Sequence, residues 1–231
     1  GKTSFALNIA RSVAVQSKKK VAFFSLEMTK EQLASRLLSV EALVGGVKLR
    51  TGKLNDEEWQ RIISASDVLG KTEIYLDETS GITVPEMKAK LRRLRGVDLV
   101  IIDYLQLMTS QKNGRATESR QVEVSDMSRK MKIYAKELDC PIVLLSQMSR
   151  DVEKRDNHTP QLSDLRESGS IEQDADIVMF LNNPSKYNPA LPPNEVILDV
   201  KKNRSGTIGE IKLDWDGDTT SFKECVDENA N

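Results

Sequence analysis

Residues 98–108 read DLVIIDYLQLM, and no other stretch constrains the fold as strongly. Leu99, Val100, Ile101 and Ile102 form an unbroken apolar run that ends in Asp103. Such a run suits a strand buried on both faces, which belongs in the centre of a parallel sheet covered by helices. A carboxylate at the C-terminal end of that strand points into the crevice where open α/β sheets bind ligands. The sequence also opens on Gly1-Lys2-Thr3-Ser4, followed by helical periodicity. Those residues match the second half of the phosphate-binding pattern G-x-x-x-x-G-K-[ST]. Gly1, Lys2, Thr3 and Ser4 are therefore candidate nucleotide ligands, with Lys2 on the phosphates. Thr3 and Asp103 are candidate Mg²⁺ ligands that approach from opposite sides of one site. The sequence enters the pattern halfway, so the expectation is a piece of a longer chain, with poor nucleotide affinity without the missing half.

The 231 residues suit one large domain, and a composition of 39% hydrophobic and 30% charged residues supports a substantial core. No run approaches the length of a membrane span, and no signal-peptide pattern opens the sequence. The net charge is −1, so any nucleic-acid surface has to be a local patch. Cys140, Cys225 and the single His158 are too few for a metal finger. Cys140 precedes a predicted buried strand and reads as a packed free thiol, which suits a reducing cytoplasm.

Residues 3–16 predict a helix with Phe5, Ile9 and Val13 on one stripe and Ala6 and Ala10 beside them. Residues 21–25 predict a short buried strand that runs into Ser25-Leu26-Glu27-Met28. A glutamate at that edge can orient and deprotonate a water attacking a γ-phosphate, so Glu27 is a candidate catalytic residue. Residues 29–44 predict a helix opened by a Thr29/Gln32 capping box, lined by Leu33, Leu37 and Val40 and stopped by Gly45-Gly46. Asn55 with Glu58 opens another helix carrying Trp59, Ile62, Ile63 and Leu69; residues 73–76 predict a strand. Thr83 with Glu86 caps a further helix with Met87, Leu91 and Leu94 inward, and Arg92, Arg93 and Arg95 read as its wet face. Residues 109–117 read as a flexible loop on the ligand side, and 118–138 as a long helix with Val124, Met127, Met131 and Leu138 along one stripe.

Residues 141–145 predict the next buried strand, which ends in Ser146-Gln147. A glutamine there can sense a γ-phosphate or simply cap a loop. Residues 148–174 read as loop, and within them LRESGS at 165–170 combines one arginine with small residues and exposed amides, a composition that suits an anionic backbone. Residues 177–181 predict a buried strand, and 195–200 and 210–213 two strands around KKNRSGTIG. That cationic hairpin tip reads either as an arginine finger for a neighbouring subunit or as solvated charge. The tail from Asp227 reads as disordered.

GKTSFALNIA, FFSLEM, LVIIDYLQLM, PIVLLSQMSR and LSDLRESGSIEQDADIVMFL follow one another at consistent spacing. Together they resemble the C-terminal, RecA-like motor domain of bacterial and phage replicative helicases of the DnaB type. The resemblance implies an α/β fold: a RecA-like P-loop NTPase core with a largely parallel central sheet, helices on both faces and a C-terminal β-hairpin, over residues 1–226. It implies ATP and Mg²⁺ as cofactors, with Lys2 and Thr3 in the P-loop roles and Asp103 as the Walker B aspartate. Glu27 then matches the catalytic glutamate, and Gln147 the residue that couples γ-phosphate to the DNA loops. Arg166, Glu167 and Gly169 fall where the family contacts single-stranded DNA. Lys202 and Arg204 match the finger residues that reach the adjacent subunit's ATP. The implied partners are single-stranded DNA, further copies of the chain in a homohexamer, a primase and a helicase loader, with no membrane. Two other readings compete: a strand-exchange or clock-type ATPase on the same core, and a DNA-binding or assembly module without turnover.

Overall fold

The computed structural model describes residues 1–108, 120–149, 152–153, 155 and 158–225. Its centre is a four-stranded, all-parallel sheet of β1 (Val21–Ser25), β2 (Ile74–Asp77), β3 (Leu99–Asp103) and β4 (Ile142–Leu144), in the order β2-β1-β3-β4. Every residue of β1 and β3 is buried, as continuous apolar runs require when both sheet faces are covered. Alternate side chains divide between the faces. Val21, Phe23, Leu99 and Ile101 pack with α1 (Lys2–Arg11) and α2 (Lys30–Ala42). Ala22, Phe24, Val100 and Ile102 pack with α5 (Val84–Leu94) and α6 (Arg120–Leu138). Ile101 is fully buried, so Ile101→Ala is expected to cost about 2–5 kcal/mol through lost contacts and a residual cavity. Denaturant unfolding reads this as a lower midpoint at unchanged slope. β4, by contrast, is only half-buried, because it is an edge strand of this sheet.

The helix starts follow the sequence closely. The capping boxes of Thr29 with Gln32, Asn55 with Glu58, and Thr83 with Glu86 are all formed, at the heads of α2, α4 (Asp56–Gly70) and α5. Several details differ from expectation. The buried apolar stripe of α1 is Ala6, Leu7 and Ala10, continued by Ala14 in the π-helical turn Ser12–Gln16, while Phe5, Ile9 and Val13 flank it; alanines let the helix axis approach the sheet closely. α2 ends at Ala42, two residues short of the expected Val44, with Leu43 as its cap in the left-handed region, and Gly46 opens a short α3 (Gly46–Thr51). A turn far along the chain holds that junction: Gly46 N donates to Asp218 O at 2.9 Å. On α4, Ile62 and Ala65 are buried while Trp59 and Ile63 face solvent. Val124, Met127 and Met131 line the buried side of α6, and Arg92, Arg93 and Arg95 lie outside the core, as expected.

The C-terminal third is larger than the expected hairpin. It is a four-stranded antiparallel sheet of β5 (Ile177–Asn182), β6 (Glu195–Asn203), β7 (Gly209–Asp216) and β8 (Ser221–Glu224), in sequential order. β5 is not buried throughout: Ile177 and Met179 face out while Val178 and Phe180 face the core, the alternation of an edge strand with one wet face. On one side of this sheet Val196, Leu198 and Leu213 pack with Phe5 and Phe222, which locks the sheet to α1. Residues 148–174 are not plain loop. They contain a 3₁₀ segment, Leu162–Ser168, and a short α7 (Gly169–Asp174), anchored by Leu165 and Ile171 in the core beneath β5 and α6. The loop at 109–117 and the tail from Asp227 lie outside the described residues.

Candidate nucleotide site

The chain crosses from β1 outward to β2 and then back over to β3, so the direction of winding reverses between β1 and β3. Ligands of open α/β sheets sit outside the strand ends at such a reversal. Ser25 and Asp103 are register partners at those ends, and Leu26 N donates to Asp103 O at 2.7 Å. α1 starts immediately beside them: Gly1 is its N-cap and Phe5 N closes the first turn on Gly1 O. The partial positive charge of a helix N-terminus therefore faces the crevice. Lys2 is exposed at that terminus, Thr3 is half-buried, and Ser4 is buried one step further into the helix.

Asp103 is the most constrained polar group of the site. It is 1% exposed, and its Oδ2 is buried without a hydrogen-bond partner. Burial pushes its carboxyl above the usual carboxylate range; the Thr3 hydroxyl opposes this, the Glu27 charge adds to it, and Lys2 and Arg36 oppose it. A buried, unpartnered carboxylate oxygen beside a threonine hydroxyl is the oxygen donor set that a hard divalent cation takes, and the residues present fit Mg²⁺. Because the folded state holds the proton more tightly, it binds more protons than the unfolded chain between the two pKa values. Stability contributed by this group therefore falls as pH rises through that window, and the penalty is complete once pH exceeds the folded value. Asp103→Asn is accordingly expected to raise the melting temperature without nucleotide, by about 2–4 °C per kcal/mol relieved. The same variant is expected to lose the extra stabilisation that Mg²⁺ with nucleotide gives the parent. Calorimetry with and without Mg²⁺ and nucleotide measures both.

Glu27 is exposed at the tip of the turn after β1. Ser25 shapes that turn, since its Oγ accepts from Met28 N at 3.0 Å and donates to Met28 O at 2.7 Å. Gln147 is also exposed, past the end of β4. Its backbone is tied to the β3 side by Gln106, which donates to Ser146 Oγ at 2.8 Å and to Gln147 O at 3.3 Å, and accepts from Gln147 N at 3.3 Å. Gln106 thus links the two strand ends, a role its place in YLQLM did not disclose. Sequence reasoning missed Arg36 on α2 as well. Its charge acts on Asp103. The available signal was a cation beside the apolar stripe of α2, adjacent to Leu37 and three residues after Leu33.

The other candidates lie on different elements. Arg166 and Glu167 belong to the 3₁₀ segment Leu162–Ser168, and Gly169 opens α7. That segment is firmly based: buried Asp164 accepts both guanidinium nitrogens of Arg155 and the Gln161 N–H at 2.7 Å, while its carbonyl accepts from Ser149 N at 3.0 Å. Lys202 lies near the end of β6 and Arg204 directly follows that strand; both side chains rest on the last turn of α7 and the residues just beyond it. Among the described residues no group of three or more His, Cys, Asp or Glu could hold a metal ion, and no helix is long and apolar enough to cross a membrane. Cys140 is buried and free, with burial raising its thiol to about 11, which fits packing rather than chemistry.

Comparison with known proteins agrees with this fold. The family described as DnaB-like helicase C terminal domain matches residues 1–224. The replicative DNA helicase DnaB of Geobacillus stearothermophilus is 46% identical over 217 residues, 92% of this chain and 47% of that protein. The replicative DNA helicase DnaC of Bacillus subtilis (strain 168) is also 46% identical, with the same coverage. Among solved structures, one described as an ATPase domain superimposes with a TM-score of 0.91 at 33% identity, covering 97% of this chain and 81% of that one. A DnaB-like replicative helicase, described with its interactions with primase, superimposes with a TM-score of 0.89 at 33% identity, covering 96% of this chain and 54% of that one. The chain spans about half the length of the curated relatives it matches. Sequence, sheet order and superposition agree: the chain belongs to the family of DnaB-like helicase C-terminal domains, and its fold is the RecA-like ATPase core.

Proposed function

We propose that this chain is the ATP-driven motor of a replicative DNA helicase, hydrolysing ATP at the interfaces of a homohexameric ring and moving 5′ to 3′ along single-stranded DNA to unwind the duplex ahead. The observation that carries this reading is Asp103, a buried carboxylate with an orphaned oxygen, beside Thr3 and within reach of the Glu27 charge at the sheet's reversal point. Gly1, Lys2, Ser4 and the α1 N-terminus bind the phosphates, and Thr3 and Asp103 hold Mg²⁺. Bound Mg²⁺ offsets the negative charge of the phosphates and orients them. Glu27 accepts a proton from the attacking water, and Gln147, braced through Gln106, senses the γ-phosphate. Lys202 and Arg204 act on the ATP of an adjoining copy, so the site is complete only between copies. Arg166, Glu167 and Gly169 lie along the DNA, and a ring repeats each phosphate contact in every copy, which reconciles DNA binding with a net charge of −1.

The neighbour described with its interactions with primase supports primase as a partner of the full-length chain, and a helicase loader is expected to act on the same assembly. The test is ATP hydrolysis by the full-length chain with and without single-stranded DNA. Hydrolysis that DNA stimulates is the expected result. A full-length chain that binds DNA but hydrolyses nothing overturns the motor reading in favour of a passive module.

A further inference from the structure

Lys202 and Arg204 are engaged within their own chain. Lys202 Nζ donates to the carbonyl of Glu172. Arg204 Nη2 donates to the carbonyl of Gln173 at 2.7 Å, Nη1 lies 3.5 Å from the Asp176 carboxylate, and Arg204 N donates to Asp176 O at 3.0 Å. Glu172 and Gln173 belong to the last turn of α7, whose carbonyls have no partner inside the helix and carry the negative end of its dipole. The two cations therefore cap α7. The same helix begins at Gly169, directly after the 3₁₀ segment that holds Arg166 and Glu167. With six residues, α7 is only about 9 Å long, so a shift at its C-terminal end reaches the segment at its other end.

We propose that Lys202 and Arg204 switch between two anionic partners, the C-terminal carbonyls of α7 with Asp176 in their own chain and the phosphates of ATP bound by the adjoining copy, so that the neighbour's nucleotide state reaches this chain's DNA-contact segment. The proposal rests on the finger reading above and adds the element through which it acts. The Nη1 and Nη2 donors that meet Asp176 and Gln173 O are those a bidentate phosphate contact takes, so the two engagements compete for the same fork. Asp176 is a positioning residue here. Both partners of its pair with Arg204 are half-exposed, so the hold is weak enough to be exchanged. Asp176 is also held by Lys132 of α6, and Asp174 accepts from Ser128 Oγ at 2.9 Å, so α7 keeps its ties to α6 while the turn that the cations cap is freed to shift. Coupling of this kind is reciprocal: DNA that favours the released form of α7 frees the fingers, and ATP that draws the fingers away alters the grip on DNA.

The experiment compares Asp176→Asn, Lys132→Met and Arg204→Ala in the full-length chain, measuring ATP hydrolysis with and without single-stranded DNA. Asp176→Asn weakens the hold on Arg204 and is expected to raise hydrolysis without DNA by about two- to fivefold, the range an exposed ion pair supplies. The DNA-stimulated rate stays unchanged, so the ratio of stimulated to basal rate falls by the same factor. Lys132→Met removes the other partner of Asp176 and is expected to keep the parent ratio. A parent ratio in Asp176→Asn overturns the switch, as does a lowered ratio in Lys132→Met, which would assign the effect to the tie with α6. Arg204→Ala separates the two levels: if it hydrolyses ATP like the parent, the finger reading itself fails, whereas an inactive Arg204→Ala beside a parent ratio in Asp176→Asn removes the switch alone.

Discussion

Replacing Arg204 with alanine is expected to lower ATP hydrolysis by the assembled ring by about 10³- to 10⁵-fold, the contribution of an arginine finger to a phosphoryl-transfer transition state. Nucleotide binding in the ground state is expected to stay within a few-fold, because in the proposed site Gly1, Lys2, Ser4 and the α1 N-terminus supply the phosphate contacts. The charges that act on Asp103 are those of Glu27, Lys2 and Arg36, while Arg204 lies on Gln173 and Asp176. Its contribution to hydrolysis is thus expected in trans. Mixing tests this directly. Rings assembled from Arg204→Ala chains and Glu27→Gln chains contain interfaces that join an intact Glu27 to an intact Arg204 of the next copy. Such mixed rings regain hydrolysis if the finger acts across the interface. If mixtures of the two inactive variants stay inactive while each still assembles, Arg204 serves its own chain and the interface site is disproved.

Glu27→Gln is expected to reduce hydrolysis by about 10²- to 10⁴-fold, the usual range for losing a general base. Glutamine keeps the size and hydrogen bonding of the side chain and removes only its capacity to take a proton. Nucleotide and DNA binding should therefore be retained, and the variant ring should stall on DNA with ATP bound. The structure supports this separation of roles. Glu27 is exposed at the tip of a turn shaped by Ser25, so the substitution disturbs no core contact. Its charge also contributes to the upward shift of Asp103, so the substitution relieves repulsion between the two carboxylates. Hydrolysis within tenfold of the parent would rule out Glu27 as the base.

Most of the parallel sheet is legible in the amino-acid sequence because its signals are local, and Glu27 is placed just past a strand in the same way, whereas the finger reading of Arg204 comes from the family resemblance, since the hairpin alone reads equally as solvated charge. β1 and β3 are apolar runs with no polar alternation, so their burial, and the placing of Ser25 and Asp103 at their ends, follow from composition over five residues. The capping boxes at Thr29, Asn55 and Thr83 are satisfied within one helical turn, so a cap residue and its partner three positions on suffice to specify them. Errors arose where a contact from far along the chain decided the outcome. α3 depends on the hairpin residue Asp218, which accepts from Gly46 N. The buried stripe of α1 is turned toward its alanines because the sheet, the neighbouring α2 and Phe222 compete for its faces. β5 reads as a buried strand until its place at the edge of an antiparallel sheet exposes Ile177 and Met179.

The sequence by itself marked the residues of the candidate site: a helix start with half of a phosphate-binding pattern, a carboxylate at a strand end, a glutamate just past a strand, and a cationic hairpin. Those properties reside in single residues and their immediate neighbours. Only the tertiary structure decided the company they keep. It buried Asp103 until one oxygen lost every partner, set the charge of Arg36 to act on Asp103, braced Gln147 through Gln106, and laid Lys202 and Arg204 on the end of α7. Each of these depends on desolvation or on contact between segments distant in sequence, and the order of parallel crossovers that creates them is set by packing the whole sheet rather than by any one stretch.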